Sequence, residues 1–244
     1  LLQRAKAAGV GTLLVTVDTP VPGQRLRDVR NGMVIPPRLT PGTVLDASYR
    51  PEWWFNFLTT DSLKFASLSN TSSTLADLIS SMFDPGLDLD DLAWIREQWD
   101  GQLFVKVVLT RDDARRAMSV GADGLVVSNH GGRQLDRAPV ALTSLPGVRE
   151  EVGPGVPLIL DSGVLSGADV VTALCAGADF VLIGRAYLYG LMAGGEQGVS
   201  RVIELLEAQI RTDMMLMGAG SIADLGPTSM RAPWLERAGN TDRV

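Results

Sequence analysis

His130 is the single histidine of the chain, and its neighbours are those of a proton acceptor with room to work. It follows the apolar run Gly124–Ser128 and is itself followed by Gly131, Gly132 and Arg133. A lone histidine is ordinarily structural, so the residue type alone carries little. Its place just past a strand-like run, with two glycines and a charged companion, favours a chemical role. Asp18 closes a separate apolar run and can orient an imidazole and stabilise its charged form, the base-plus-orienter arrangement of general-base catalysis. Lys106 lies within Phe104-Val105-Lys106-Val107-Val108. An ammonium among apolar strand residues is costly unless paired, so it reads as functional, a cation placed against negative charge on a cofactor or intermediate. An exposed strand edge is the alternative. Arg25, Arg27 and Arg30 follow Asp18 and admit two readings, a solvated basic turn balanced by Asp28 or a clamp on an anionic substrate. Composition does not choose between them. Asp161-Ser162-Gly163 and Gly184-Arg185 each end an apolar run and open a helix. Small residues there let backbone N–H groups and the helix dipole meet a phosphate, and Arg185 adds a fork of donors.

The elements that must position these residues are five β-branched or aliphatic runs: Thr12–Asp18, Leu103–Leu109, Gly124–Ser128, Pro157–Asp161 and Phe180–Gly184. Near-continuous apolar runs suit a parallel sheet covered on its faces. Helical patterns alternate with them, Arg111–Met118 after a Thr110 cap and Ala168–Ala176 after Ser166-Gly167. The triplet Gly-Ala-Asp recurs at 121–123 and 177–179, each time before a strand. The expected fold is α/β and, from the repetition, a TIM-type barrel, in which the C-terminal strand ends share one active-site face. All the residues singled out above fall at or near such ends.

A stretch from Met33 to about Pro85 is too long for an ordinary βα loop and reads as an insertion after the first strand. It holds two helix candidates, Pro51–Leu58 and Leu75–Met82, and Leu89–Trp99 after it is the ordinary helix before the next strand. Trp53, Trp54, Phe55 and Phe57 suit packing of the insertion onto the barrel, because lysine and arginine are sparse there. Anchoring to a lipid surface is the second reading. Leu1–Ala8, stopped at Gly9, reads as a helix already under way and hence as a chain cut from something longer. Residues 1–226 are expected to form the barrel part, and 227–244, rich in Pro, Arg and Gly, a weakly ordered tail.

With 244 residues, 45% of them apolar, the chain can bury a substantial core. Its net charge of −6 argues against a nucleic-acid partner, while local arginines still permit small anions. Cys175, the sole cysteine, lies in Ala-Leu-Cys-Ala-Gly-Ala, reads as a packing residue and fits a cytoplasmic location. No apolar run is long enough to span a membrane.

Val127-Ser128-Asn129-His130-Gly131-Gly132-Arg133-Gln134-Leu135-Asp136 is similar to the signature of the FMN-dependent (S)-2-hydroxy-acid oxidases and dehydrogenases, a family of glycolate and lactate oxidases and lactate and mandelate dehydrogenases. Thr16–Pro20 with Gly23–Gly32 resembles that family's segment after strand four, and the likeness extends over nearly the whole chain. The resemblance implies FMN as cofactor and oxidation of a small 2-hydroxy acid, such as L-lactate, to the 2-oxo acid. Electrons would pass on to oxygen, a quinone or another carrier. It implies His130 as the base, Asp18 as support for its charged form, and Arg25 and Arg133 on the substrate carboxylate. Lys106 would stabilise the reduced flavin, Thr16 and Ser128 would hydrogen-bond it, and Asp161, Gly163, Gly184 and Arg185 would hold its ribityl chain and phosphate. No metal is implied, and the full-length protein would be a homo-oligomer.

Two stretches depart from the family pattern. Where the family has Asp-Gly-Gly-(apolar)-Arg-Arg-Gly, this chain has Asp161-Ser162-Gly163-Val164-Leu165-Ser166-Gly167, so Leu165 replaces an arginine that reaches the phosphate. Losing a charge-assisted hydrogen bond of about 1.5–3 kcal/mol would weaken FMN binding roughly tenfold or more. The family barrel also has eight strands, and this chain supplies the last five, which predicts an open sheet edge beside Thr12–Asp18. Both departures support an alternative, a noncatalytic remnant that keeps the fold. A different FMN- or phosphate-binding barrel enzyme is a further alternative, and the combination of His130, Arg133, Arg25 and Lys106 argues against it.

Overall fold

The computed structural model describes residues 1–23, 25–32, 40–60, 83 and 85–229. The chain divides into two compact units, Leu1–Gly23 with Gly86–Val244, and Gln24–Pro85.

The first unit is built on a five-stranded, wholly parallel sheet in the order β1-β2-β3-β4-β5. The strands are β1 (Thr12–Thr16), β2 (Gln102–Lys106), β3 (Gly124–Val127), β4 (Leu158–Asp161) and β5 (Phe180–Leu182), one in each expected run. Its helices are α1 (Leu2–Ala7), α5 (Leu89–Gln98), α6 (Arg111–Ser119), α7 (Ala141–Val152), α8 (Gly167–Cys175) and α9 (Arg185–Met217). The sequence placed α5, α6 and α8 because their starts carry side-chain caps. The Thr110 hydroxyl accepts from the Asp113 N–H, and Asp88 with Asp91 and Ser166 with Asp169 form capping boxes. It did not place α7, which has no side-chain cap and carries Pro146 inside; it expected a helix opening at Gly184-Arg185, and α9 begins there and bends at Gly194 and Gly195.

Four strands end earlier than the apolar runs suggest, β3 by one residue, β5 and β1 by two and β2 by three. In β2 the ladder stops at Lys106 because Val107 turns to φ 79°, and the Val107 and Val108 N–H groups both donate to the Val126 carbonyl. A β-branched residue at positive φ is strained, and the strain sits at the C-terminal end of the sheet. β1 likewise stops at Thr16, short of Asp18.

Alternation along the strands sorts the side chains. Val15, Val105, Leu125, Val127, Leu158, Leu160 and Val181 face the helices and join one core with Ala114, Ala117, Leu145, Val148 and Ala173. Cys175 is fully buried, and burial pushes its thiol up from the ordinary value. The opposite face carries Leu14 and Thr16 of β1, Phe104 and Lys106 of β2, Val126 of β3, Ile159 and Asp161 of β4, and Phe180 and Leu182 of β5. It is closed in its middle, where Val126 is fully buried, and open at its margins, where Leu14 is 42% and Phe180 62% exposed.

The repeated Gly-Ala-Asp triplets pin the N-terminal strand ends. Asp123 accepts the Leu103 N–H at 2.7 Å and pairs with Arg96 of α5 at 2.8 Å. Asp179 accepts the Leu158 N–H at 2.7 Å and pairs with Arg149 of α7 at 2.5 Å. Each aspartate thereby satisfies a donor near the start of a neighbouring strand and ties a helix to it.

The second unit contains α2 (Leu26–Arg30), α3 (Pro41–Ser48) and α4 (Pro51–Thr59). The segment after Arg25, expected as a turn, is thus a short helix. α4 matches the expected helix, with Pro51 in its first turn, and its Trp53 and Trp54 rings meet edge to face at 4.9 Å. The helix expected at Leu75–Met82 and the tail beyond 229 lie outside the described residues.

Candidate active site

Lys106 is the last residue of β2, on the face away from the helices. Parallel register sets it beside Val126, and one pleat further along β3 brings Ser128 onto the same face. Val126 pairs with Ile159, and one pleat further along β4 brings Asp161. The stagger of a barrel-type sheet therefore places Lys106, Ser128 and Asp161 together on a diagonal. Lys106 Nζ lies 2.7 Å from Asp161 Oδ2 and 3.2 Å from Ser128 Oγ, and the Ser128 hydroxyl donates to Asp161 Oδ2 at 2.6 Å. The two charged side chains are 17% and 18% exposed, so the ion pair is largely shielded from water. Burial alone would raise the Asp161 carboxyl, but hydrogen bonds from Lys106 and Ser128, the ammonium charge and the Ser162 N–H outweigh it and hold it below the usual aspartate range. The cluster satisfies the requirement that a strand lysine be paired, and it keeps the Asp161 carboxylate ionised at neutral pH.

His130 stands two residues beyond Ser128, and its own N–H donates to Ser128 Oγ at 3.0 Å. His130, Gly131 and Gly132 all take left-handed conformations, φ 56°, 67° and 73°. This tight turn carries the imidazole toward β1, where Nδ1 lies 3.1 Å from Asp18 Oδ1. The imidazole is 36% exposed and Asp18 18%. Nδ1–H facing a carboxylate leaves Nε2 as the basic nitrogen.

Gln134 locks the two loops together. Its side-chain amide donates to the Asp18 carbonyl at 2.9 Å and the Val21 carbonyl at 3.1 Å, and its oxygen accepts the Gly23 N–H at 3.2 Å. Only glycine fits at 23, since a Cβ there would lie 2.3 Å from the Arg133 carbonyl oxygen. Neither Gln134 nor Ser162 was singled out by sequence reasoning. The signal for Gln134 was its place in the motif, four residues past His130. Ser162, at φ 89°, touches the same loop through its hydroxyl.

Of the other expected site residues, Thr16 is half-buried on the Lys106 face, in register with Lys106. Gly163 has φ 81°, and open space lies where its Cβ and that of Gly184 would be. Arg185 opens α9 and donates to the Gly131 carbonyl at 3.2 Å, which links the β5 loop to the His130 turn. Arg133 is exposed beside His130, and Leu165 is exposed at the mouth of the β4 loop. Arg25 belongs to the second unit, at the N-cap of α2, and is not among the residues the first unit assembles. Among the described residues no three His, Cys, Asp or Glu side chains gather as a metal site.

An acid–base pair, a shielded cation and two glycine-lined loops at a helix N-terminus thus meet at the C-terminal end of a parallel sheet. The residues 1–232 match the family model described as FMN-dependent dehydrogenase, and the chain belongs to that family, the FMN-dependent 2-hydroxy-acid oxidases and dehydrogenases, whose fold is a TIM barrel. The chain is 55% identical over 227 residues to a Mycobacterium tuberculosis protein provisionally named an L-lactate dehydrogenase, an alignment covering 93% of this chain and 55% of that protein. It is 44% identical over 236 residues to an L-lactate dehydrogenase of Pseudomonas aeruginosa, covering 94% and 62%. Among solved structures, a monotopic membrane protein, (S)-mandelate dehydrogenase, matches with a TM-score of 0.88 and 38% identity over 94% of this chain and 62% of that one. The chain therefore spans between about half and two thirds of the length of these relatives.

Proposed function

We propose that the full-length protein oxidises a small (S)-2-hydroxy acid, such as L-lactate, to the 2-oxo acid with FMN as cofactor. The observation that carries the reading is the Asp18–His130 contact at 3.1 Å beside the shielded Lys106–Asp161 pair on one rim of the sheet. Oxidation removes two electrons and two protons from the hydroxy acid. His130 Nε2 accepts one proton, and Asp18 on Nδ1 stabilises the resulting imidazolium. FMN, when bound, would take the two electrons and the second proton. Lys106 sets a positive charge, fixed by Asp161, where negative charge develops. Arg133 holds the substrate carboxylate.

The residues present fit FMN. Gly163 and Gly184 leave open space, and Gly184 caps the N-terminus of α9, where backbone N–H groups and Arg185 suit a phosphate. Asp161, Gly163, Gly184 and Arg185 would hold the ribityl chain and phosphate, and Thr16 and Ser128 would lie beside the flavin ring. Ser128 already donates its one proton to Asp161, so its share in holding the ring falls to its oxygen and backbone. The exposed apolar side chains of Leu14 and Phe180 at the two sheet margins support a barrel completed by strands outside these 244 residues. In this reading residues 1–226 are barrel with an insertion at about 33–85, 227–244 are a tail, and the whole assembles as a homo-oligomer. Electrons leave to oxygen, a quinone or another carrier.

Among the described residues no helix is long and apolar enough to cross a membrane. A cytoplasmic enzyme fits that. Contact with a membrane surface through the second unit is supported by exposed Leu45, Tyr49, Phe55 and Leu58, and by the monotopic mandelate dehydrogenase. Leu165 favours the second functional reading, a barrel that binds FMN poorly or not at all.

The test is the visible spectrum of the full-length protein before and after anaerobic addition of L-lactate, glycolate and L-mandelate. Bleaching of a flavin band by one of them is expected. A colourless protein that FMN does not reconstitute would overturn the proposal in favour of the cofactor-free barrel.

A further inference from the structure

We infer that Ser162 is a positioning residue that sets the His130 turn, and so the direction in which the imidazole is presented; this rests on the reading of His130 as the base. Ser162 stands at φ 89°, a conformation glycine enters freely and a serine does not. Where a side chain is kept under backbone strain beside a reacting group, the side chain is the place to look for the reason. Its oxygen accepts the Gly131 N–H at 2.9 Å and the Asn129 N–H at 3.3 Å, the N–H groups of the residues on either side of His130. The His130 N–H goes to Ser128 Oγ at 3.0 Å, so all three successive donors of residues 129–131 end on serine oxygens.

The direction of the hydroxyl chain follows from proton counting. Ser128 has one hydroxyl proton, and its shortest contact, 2.6 Å, is to the acceptor-only carboxylate of Asp161. In the 3.2 Å contact between the serines Ser162 must therefore donate. The order runs Ser162 to Ser128 to Asp161, with the Lys106 ammonium on the same carboxylate oxygen as the Ser128 hydroxyl. The charge pair thus orients two hydroxyls, and the hydroxyls orient the His130 backbone.

Successive N–H groups in a left-handed turn converge into a concavity that otherwise takes an anion or water. Ser162 fills it with a fixed oxygen. Glycine at 162 would remove the strain and leave the Asn129 and Gly131 donors without that acceptor, freeing the turn that holds Nδ1 at 3.1 Å from Asp18.

Two variants of the full-length flavoprotein separate positioning from stability. Ser162→Gly loses the hydroxyl and relieves the strain; Ser162→Ala loses the hydroxyl and keeps it. The glycine variant is therefore expected to be the more thermostable of the two. Both should show the same fall in kcat/KM, on the order of tenfold or more for a base displaced by a fraction of an ångström. In both, the kcat/KM–pH profile should change in the same direction as in Asp18→Asn. In an Asp18→Asn background, either replacement should cost little more. Amide exchange of the peptide spanning 129–131 should speed up, with the flavin spectrum unchanged. Wild-type kinetics and pH profile in Ser162→Gly, or a loss that follows thermostability instead of the hydroxyl, would overturn the inference. If the wild type oxidises no 2-hydroxy acid, the functional reading fails by itself. The exchange measurement, which needs no substrate, then decides: unchanged exchange at 129–131 overturns the role of Ser162, and faster exchange upholds it.

Discussion

Two carboxylates on the same rim each serve one partner, Lys106 and His130, and they are held in opposite ways. Asp161 is surrounded by donors, Lys106, the Ser128 hydroxyl and the Ser162 N–H, and its pair is less than a fifth exposed. Asp18 meets His130 through one contact, and the imidazole is 36% exposed. The first arrangement fixes a charge. The second leaves the imidazole at the water boundary with a single carboxylate contact. In the proposed mechanism the difference separates a group that supplies a constant field from one that moves a proton.

The widest gap between the pairs should appear in turnover. His130→Gln is expected to lower kcat/KM by about 10²–10⁴-fold while shifting unfolding free energy by less than about 1 kcal/mol, since it removes a general base and an exposed contact. Steady-state kinetics with parallel urea unfolding check both halves. Lys106→Met should do the reverse in stability. It strands a shielded carboxylate and should cost about 3 kcal/mol in urea unfolding, the low end for a broken buried pair because part of each group still reaches water. Restoring most of that loss with Asp161→Leu in the same chain would sharpen the assignment, and no restoration would break it.

Leu165→Arg should tighten FMN by about tenfold or more through one added charge-assisted hydrogen bond, measured by fluorescence titration of the apoprotein. No change would place the phosphate away from the β4 loop. The smallest effect is in acid. The folded Asp161 carboxyl titrates below the usual aspartate range, so the unfolded chain binds the proton first as pH falls. Its stabilising contribution is complete above the ordinary value of about 3.9 and is lost as pH drops through the lower folded value. The stability gap between wild type and Asp161→Asn should therefore be flat from pH 7 to about 5 and narrow below about 4.

Much of this arrangement was legible in the residues. Five apolar runs gave five strands, Thr110, Asp88 and Ser166 announced their helices, and the lysine buried in a strand demanded a partner. Asp18 and His130, 112 residues apart, were expected to meet because strand ends share a face, and they lie in contact. What was not legible is conformational. Nothing in the letters marks Val107 or Ser162 as left-handed, so neither the early end of β2 nor the serine clamp could be foreseen. Helix α7 hid behind a missing cap and an internal proline, and the arginines after Asp18 form a short helix because their local residues permit one.

The two Gly-Ala-Asp anchors carry a consequence for how such a protein changes over time. Asp123 and Asp179, with Arg96 and Arg149, set the strand alignment from the end of the sheet away from His130 and Lys106. Alignment is thus insured independently of the loops that do the chemistry. Loops at the reactive rim can lengthen, shorten or exchange residues, as Leu165 has done, without the strands slipping. A sheet fastened at one end is free to experiment at the other, and new substrates can be tried on an old frame.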